Sequence, residues 1–297
     1  MNFLTALAEH EFLRVVLMAG LLSALGCGVV GSLVVVKRIT FMAGGIAHAV
    51  LGGMGVAQWL GGSPLVGATV AAILAALLIG WISHRGHQRE DMLIGAVWAV
   101  GMAVGIVAIA QTPGYSSELM SYLLGNLLMV TREQVWLMAA LNAAMLLMLA
   151  LFWRPLMATV FDEEFARVRG LPTLALNLGL LVMIALAVVV LVQAVGLVLV
   201  MALLTLPAAT ALLGASSIGR VMLLAAGIAA VDIVGGLAVA YETDSPAGAV
   251  IVLGAATVYL LALSAQGLRR RKRHSTVPAS DAARRANIPV HTEGEAP

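Results

Sequence analysis

Phe41–Leu60 reads FMAGGIAHAVLGGMGVAQWL, twenty residues without a formal charge and with one histidine among them. An α-helix needs about 20 mostly apolar residues to cross a bilayer, so this run reads as a membrane span. Its histidine, His48, is then an ionisable side chain at membrane depth. Such a group is costly unless it faces water or protein, and it marks a functional site by default. Gly44, Gly45, Gly52, Gly53 and Gly55 surround it. Glycines let neighbouring backbones approach closely. An imidazole in a glycine-rich span points to a route for something that binds nitrogen; the plainer alternative is a packed, satisfied histidine.

The rest of the chain reads the same way. Of 297 residues, 61% are hydrophobic and only 11% charged, and the mean hydropathy is +1.02. Soluble domains carry about 25% charged residues. The composition therefore predicts an all-α polytopic membrane protein. Apolar runs near 12–36, 41–60, 64–83, 92–110, 134–153, 173–192, 195–214, 219–240 and 246–267 are candidate spans. The join at Gln193-Ala194-Val195-Gly196 is weak, so the count is eight or nine. Residues 114–130, GYSSELMSYLLGNLLMV, suit a re-entrant or interfacial helix better than a crossing. The single Cys27 excludes an intrachain disulfide and a cysteine-based zinc cluster. The N-terminus lacks the basic flank and cleavage site of a signal peptide, so the first span is expected to be retained.

Lys and Arg favour the cytoplasmic side of short loops. Lys37 and Arg38, Arg85 and Arg89, Arg154 with Arg167 and Arg169, Arg220 and the cluster at 269–273 are accordingly expected inside. Nine spans with the N-terminus outside and the C-terminus cytoplasmic place them all there. The expected location is the inner or plasma membrane of the cell. The reading divides the chain into a permease domain, 1–267, and a basic tail, 268–297. The tail's composition cannot form a core, so it is expected to be disordered. Its RRRKRH run fits an anchor at anionic lipid headgroups and not a nucleic-acid site.

Between Arg154 and Leu171 runs the longest internal cytoplasmic stretch, RPLMATVFDEEFARVRGL. Asp162, Glu163 and Glu164 precede Phe165, Val168 and Leu171 at helical spacing. Acidic residues in a first turn complement the helix dipole, and Gly170 followed by Pro172 supplies a stop. The spacing predicts a short amphipathic helix at the cytoplasmic face, either a surface connector or a docking element. Deep in another run, Asp232 is the other clear titratable group within a span, and so a second path candidate. Its alternative is a protonated or hydrogen-bonded packing residue. The fifteen methionines lie mostly in apolar runs, where Met ordinarily fills gaps. Pro207 is expected to kink its helix and free a backbone carbonyl. No phosphate loop, nucleophile triad or HExxH pattern occurs, so the chain is not expected to hydrolyse ATP.

Several of these stretches resemble a known family. Glu164-x-Ala166-x-x-x-Gly170 looks like the docking loop of ABC importer permeases, which inserts into a groove on the ATPase. GCGVVGSLVVVKRITFMAGGIAHAVLGG, DMLIGAVWAVGMAVGI, LMSYLLGNLLMVTREQV, VGLVLVMALLTLPAATALL and YETDSPAGAVIVL are similar, in order, to segments of the ABC-3 metal-ion permeases for zinc, manganese and iron. The resemblance covers roughly residues 10 to 267. It implies a type II-like importer permease fold, a homodimer with the pore between two copies, and alternating access. It also implies a cytoplasmic ATPase that binds the ATP, docked through Glu164, Ala166 and Gly170, and an extracytoplasmic binding protein that delivers a divalent metal. No intrinsic cofactor is implied. Many members of that family carry Asp four residues before the histidine, where this chain has Gly44, and an acidic residue where it has Asn126. The expected path is thus less anionic, with His48 and Asp232 as its metal-contacting candidates. Siderophore or cobalamin permeases, and an ion-coupled secondary carrier using His48 and Asp232 as a relay, are the alternatives.

Overall fold

A computed structural model describes residues 9–84, 90–112, 125, 127, 130–197 and 199–275. Eleven helices run through them: α1 (Glu11–Lys37), α2 (Thr40–Trp59), α3 (Pro64–His84), α4 (Glu90–Ala110), α5 (Arg132–Leu151), α6 (Trp153–Phe161), α7 (Glu163–Val168), α8 (Thr173–Val195), α9 (Val200–Leu212), α10 (Ile218–Thr243) and α11 (Ala247–Ser275). Eight are long and apolar enough to cross a membrane, and α9 is shorter. In lipid every backbone N–H and C=O must be satisfied internally, which is why uniformly apolar sequence becomes helix here. The chain is an integral membrane protein. Most of the segment read as re-entrant, 114–130, lies outside the described residues, as do Arg85, Arg89, Asn126 and the chain beyond Ser275. Helix α11 continues through the basic run, so the boundary read at 267 falls inside a helix.

Local signals set several helix ends. Thr131 and Gln134 form a reciprocal capping box at the start of α5: the Thr131 hydroxyl accepts from the Gln134 N–H at 3.3 Å, and Gln134 Oε1 accepts from the Thr131 N–H at 2.8 Å. At the end of α1, Arg38 takes a left-handed φ of 61°. The Ile39 N–H then reaches back to the Val34 carbonyl, and the chain turns directly into α2.

Helix α1 is the central strut, with α5, α8, α9 and α10 against it. Between lipid-bathed helices there is little hydrophobic drive, so association depends on close packing of small residues. Gly52 and Gly55 on α2 face Gly101 and Gly105 on α4. A Cβ on Gly52 would lie 2.8 Å from the Gly101 carbonyl oxygen, so the two helices touch along their backbones and run in the same direction. Lys37, His84, Glu163 and Asn177 gather at one end of the bundle. Glu11 and Arg132 pair at the other.

The weak join is a real break. Helix α8 stops at Val195, Gly196 takes a φ of 78°, and α9 begins at Val200. The thirteen residues of α9 span only about 20 Å at 1.5 Å per residue, against about 30 Å of hydrocarbon. Non-helical backbone at that depth must be covered by protein. Gly125, itself at a φ of 73°, lies directly on Val195 and Gly196, and Leu127 is buried beside Gly20. Beside the eight long apolar helices, α9 is thus a short apolar helix that follows a break.

Pro207 sits inside α9 and lacks the N–H that would bond the Leu203 carbonyl. That carbonyl accepts instead from the thiol of Cys27 on α1. Cys27→Ser keeps a donor there and should melt within about 0.5 kcal/mol of the parent, whereas Cys27→Ala should lose about 1 kcal/mol. Thermal unfolding in detergent measures the difference; equal stability of both variants would show that the carbonyl has another partner.

Candidate functional site

His48 lies two turns into α2, on the helix that the glycine contacts hold against α4. Those contacts bring Trp98 of α4 onto the imidazole. The two rings stack with centroids 4.0 Å apart and planes 8° from parallel. The Trp98 indole is fixed in turn, since its Nε1–H donates to the Met102 sulfur at 3.2 Å. One turn before His48, the missing side chain of Gly44 leaves room that Trp98 and Met201 of α9 occupy. A Cβ there would meet Trp98 Cζ3 at 3.4 Å and the Met201 sulfur at 3.8 Å. His48 Nδ1 is buried and has no hydrogen-bond partner. Buried polar atoms are almost always paired, so each exception needs an explanation. A neutral imidazole nitrogen held by stacking and left without a partner can bind a passing divalent metal. Its surroundings are aromatic and thioether groups.

Asp232 occupies a different interface. It is 7% exposed on the face of α10 that packs on α1, and its Oδ2 is unpartnered. Its electrostatic neighbour is Cys27. Gly20 of α1 touches Ile233, and Gly28 touches Ala226. Asp232 lies about six residues further along α10 from its Ile218 end than His48 lies along α2 from its Thr40 end, roughly 9 Å at 1.5 Å per residue. The structure therefore does not bring the two sequence-derived candidates together. Among the described residues no group of three or more His, Cys, Asp or Glu converges.

A third buried group escaped the reading of the sequence. Asn142 of α5 is buried, and its Nδ2 donates to the Met138 carbonyl at 2.9 Å. Its Oδ1 has no partner and faces Gly26 of α1, where a Cβ would stand 3.2 Å away. A lone asparagine in an otherwise apolar span was the available signal. Asn142 and Asp232 thus flank α1 on two sides with unsatisfied oxygens.

At the Lys37 end, α7 is the short helix expected between Asp162 and Gly170. Asp162 Oδ1 accepts from the Phe165 N–H at 2.9 Å and caps it. Gly170, at a φ of 76°, ends it, with the Gly170 N–H on Arg167 O and the Leu171 N–H on Ala166 O. The burial pattern separates two roles. Ala166 is fully buried, so it seats the helix and cannot itself touch a partner. Glu164 points to solvent, Phe165 is 51% exposed and Val168 is 87% exposed. Arg169 covers the Phe165 ring at 5.0 Å. A short, well-capped helix with an open apolar edge therefore stands at the polar end of the bundle.

Among the described residues the chain is an all-helical bundle with eight apolar helices long enough to cross a membrane and a short exposed helix, α7, at its polar end. Residues 9–266 match the ABC 3 transport family, and the chain belongs to it. The chain is 32% identical to a chain of PsaBC from Streptococcus pneumoniae, solved in complex with a Fab, with a TM-score of 0.80 over 88% of this chain and 94% of that one. It is 34% identical, over 88% of this chain and 89% of the relative, to the manganese transport system membrane protein MntC of Halalkalibacterium halodurans. An uncharacterized membrane protein of Synechocystis sp. is 41% identical over 86% of this chain and 91% of its own length. The protein is a metal-ion ABC transporter permease.

Proposed function

We propose that the chain forms the translocation path of an ATP-driven importer for a divalent transition metal, as a homodimer. One cytoplasmic ATPase docks under each copy through α7 and binds the ATP. An extracytoplasmic metal-binding protein delivers the ion. The observation that carries this reading is the open edge of α7. Phe165 and Val168 are apolar, exposed and rigidly presented, which fits a helix inserting into a partner's groove. The basic residues Lys37, Arg167, Arg169 and Arg220 mark that end as cytoplasmic by the positive-inside rule.

His48 is the metal-contacting group of the path, and Asp232 and Asn142 shape the field on either side of α1. A transport site must bind weakly enough to release, which suits a single imidazole better than a closed cluster. Among the described residues the groups about His48 are aromatic and thioether, and an imidazole–thioether set favours zinc and iron over manganese, whose preferred ligands are oxygens. The manganese proteins among the relatives make this ranking the point to measure. The experiment is ATP-dependent uptake of manganese, zinc, iron, cobalt and nickel into vesicles holding the permease, its ATPase and its binding protein. Uptake that persists without the ATPase would favour an ion-coupled carrier, although the separation of His48 from Asp232 gives such a relay no support.

A further inference from the structure

We propose that Lys37, Glu163 and Asn177 form a strut that transmits movement of the docking helix to the ends of α1 and α8, which makes them positioning residues for coupling. The inference rests on the importer reading above. Lys37 is the last residue of α1, Glu163 the first of α7, and Asn177 lies one turn into α8. Lys37 Nζ stands 3.4 Å from Glu163 Oε2 and also donates to Asn177 Oδ1. One ammonium therefore joins the element that meets the ATPase to two of the helices that must reorient.

The environment makes this pair more than a surface ion pair. The Lys37 side chain is only 16% exposed and that of Glu163 33%. An exposed pair is screened and contributes little, whereas a partly buried one is screened much less. Glu163 also reaches Arg167 one turn on, at 3.7 Å, so its carboxylate is tied into α7 itself. The backbone carrying Lys37 is held by the left-handed turn at Arg38. Helix α7 is otherwise seated by the small buried side chain of Ala166, which resists little sideways pull. Beside the three residues lies a cavity of about 190 Å³, also lined by Met42, Ser83 and His84. It gives the strut space to swing against the start of α2 and the end of α3. Helix α8 touches α1 and α3, and α1 touches α9 and α10, so the two ends held by the strut belong to helices in contact with much of the bundle.

The test uses the full chain with its ATPase and binding protein in proteoliposomes, reading metal uptake per ATP hydrolysed. Lys37→Met, and the single reversals Lys37→Glu and Glu163→Lys, should lower that ratio about tenfold, a common size for coupling between sites. The double reversal Lys37→Glu with Glu163→Lys should restore at least half of it. Asn177 permits this, because its amide can donate to a carboxylate at position 37 as readily as it accepts from lysine. A double variant no better than the single reversals, or a parental ratio in Lys37→Met, would overturn the strut. The double variant decides even where a single one accumulates poorly. Absence of ATP-driven uptake in the unaltered chain would instead overturn the importer reading.

Discussion

His48→Ala is expected to cut metal uptake on the order of a hundredfold, the scale on which metal-site residues control affinity, while the ATPase still copurifies. The reason is local. The imidazole presents a buried, unpartnered Nδ1 against a fixed indole, and Ala removes the nitrogen without touching α7 or the glycine contacts between α2 and α4. The loss of the stacked ring leaves a cavity of modest size, so protein levels and ATPase activity must be matched between variants. His48→Phe serves as the control that keeps an aromatic partner for Trp98 and removes the ligand; it should be as poor as Ala. Parental flux in either variant would make His48 a packing residue and end its role in the path. Flux should also fall as pH drops through the imidazole's titration, because the protonated ring has no lone pair to offer. Gly44→Asp approaches the same site from the other side. A Cβ at that position meets Trp98 and Met201 at ordinary contact distances, and the added carboxylate should tighten metal occupancy and slow release.

The second large effect belongs to the docking helix. Gly170→Pro asks for a φ near −65° at a residue that sits at 76°, and it deletes the N–H bonded to Arg167 O. Glu164→Lys reverses an exposed charge in the first turn, against the helix dipole and on the face offered to a partner. Neither touches a membrane span, so both variants should insert normally. Association with the ATPase should weaken by more than about thirtyfold, the usual cost of losing an interface anchor, and ATP-driven uptake should be lost. Copurification and vesicle uptake measure the two steps separately. Normal association of both variants would take α7 out of the interface.

Much of this was legible in the sequence because membrane folding obeys one severe rule. Backbone groups cannot stay unsatisfied in hydrocarbon, so each uncharged apolar run had to become a helix. The capping box at Thr131–Gln134, and the Asp162 cap and Gly170 stop of α7, are local chemistry that needs no tertiary partner. The candidate site was less legible. His48 and Trp98 are far apart in the chain, and nothing local says that α2 and α4 lie side by side in the same direction. Asp232 drew notice for its charge, yet its interface with α1 was hidden. Asn142 drew none, since a neutral amide barely changes hydropathy. The residues 195–214 read as one apolar stretch, and only the structure shows the turn at Gly196 and the Cys27 thiol on the carbonyl freed by Pro207.

From the sequence alone came the apolar runs, the short capped helix and the two titratable groups within those runs. These rest on hydration, helix geometry and local hydrogen bonds, all of which act within a few residues. Tertiary structure decided which helix faces which, that His48 stacks on Trp98 and stands apart from Asp232, and that Lys37 joins α7 to α8. The physical reason is that these helices are apolar on nearly every side. Periodicity then fails to mark a buried face, and partner choice falls to backbone contact at glycines and to scattered polar atoms whose mates are distant in the chain.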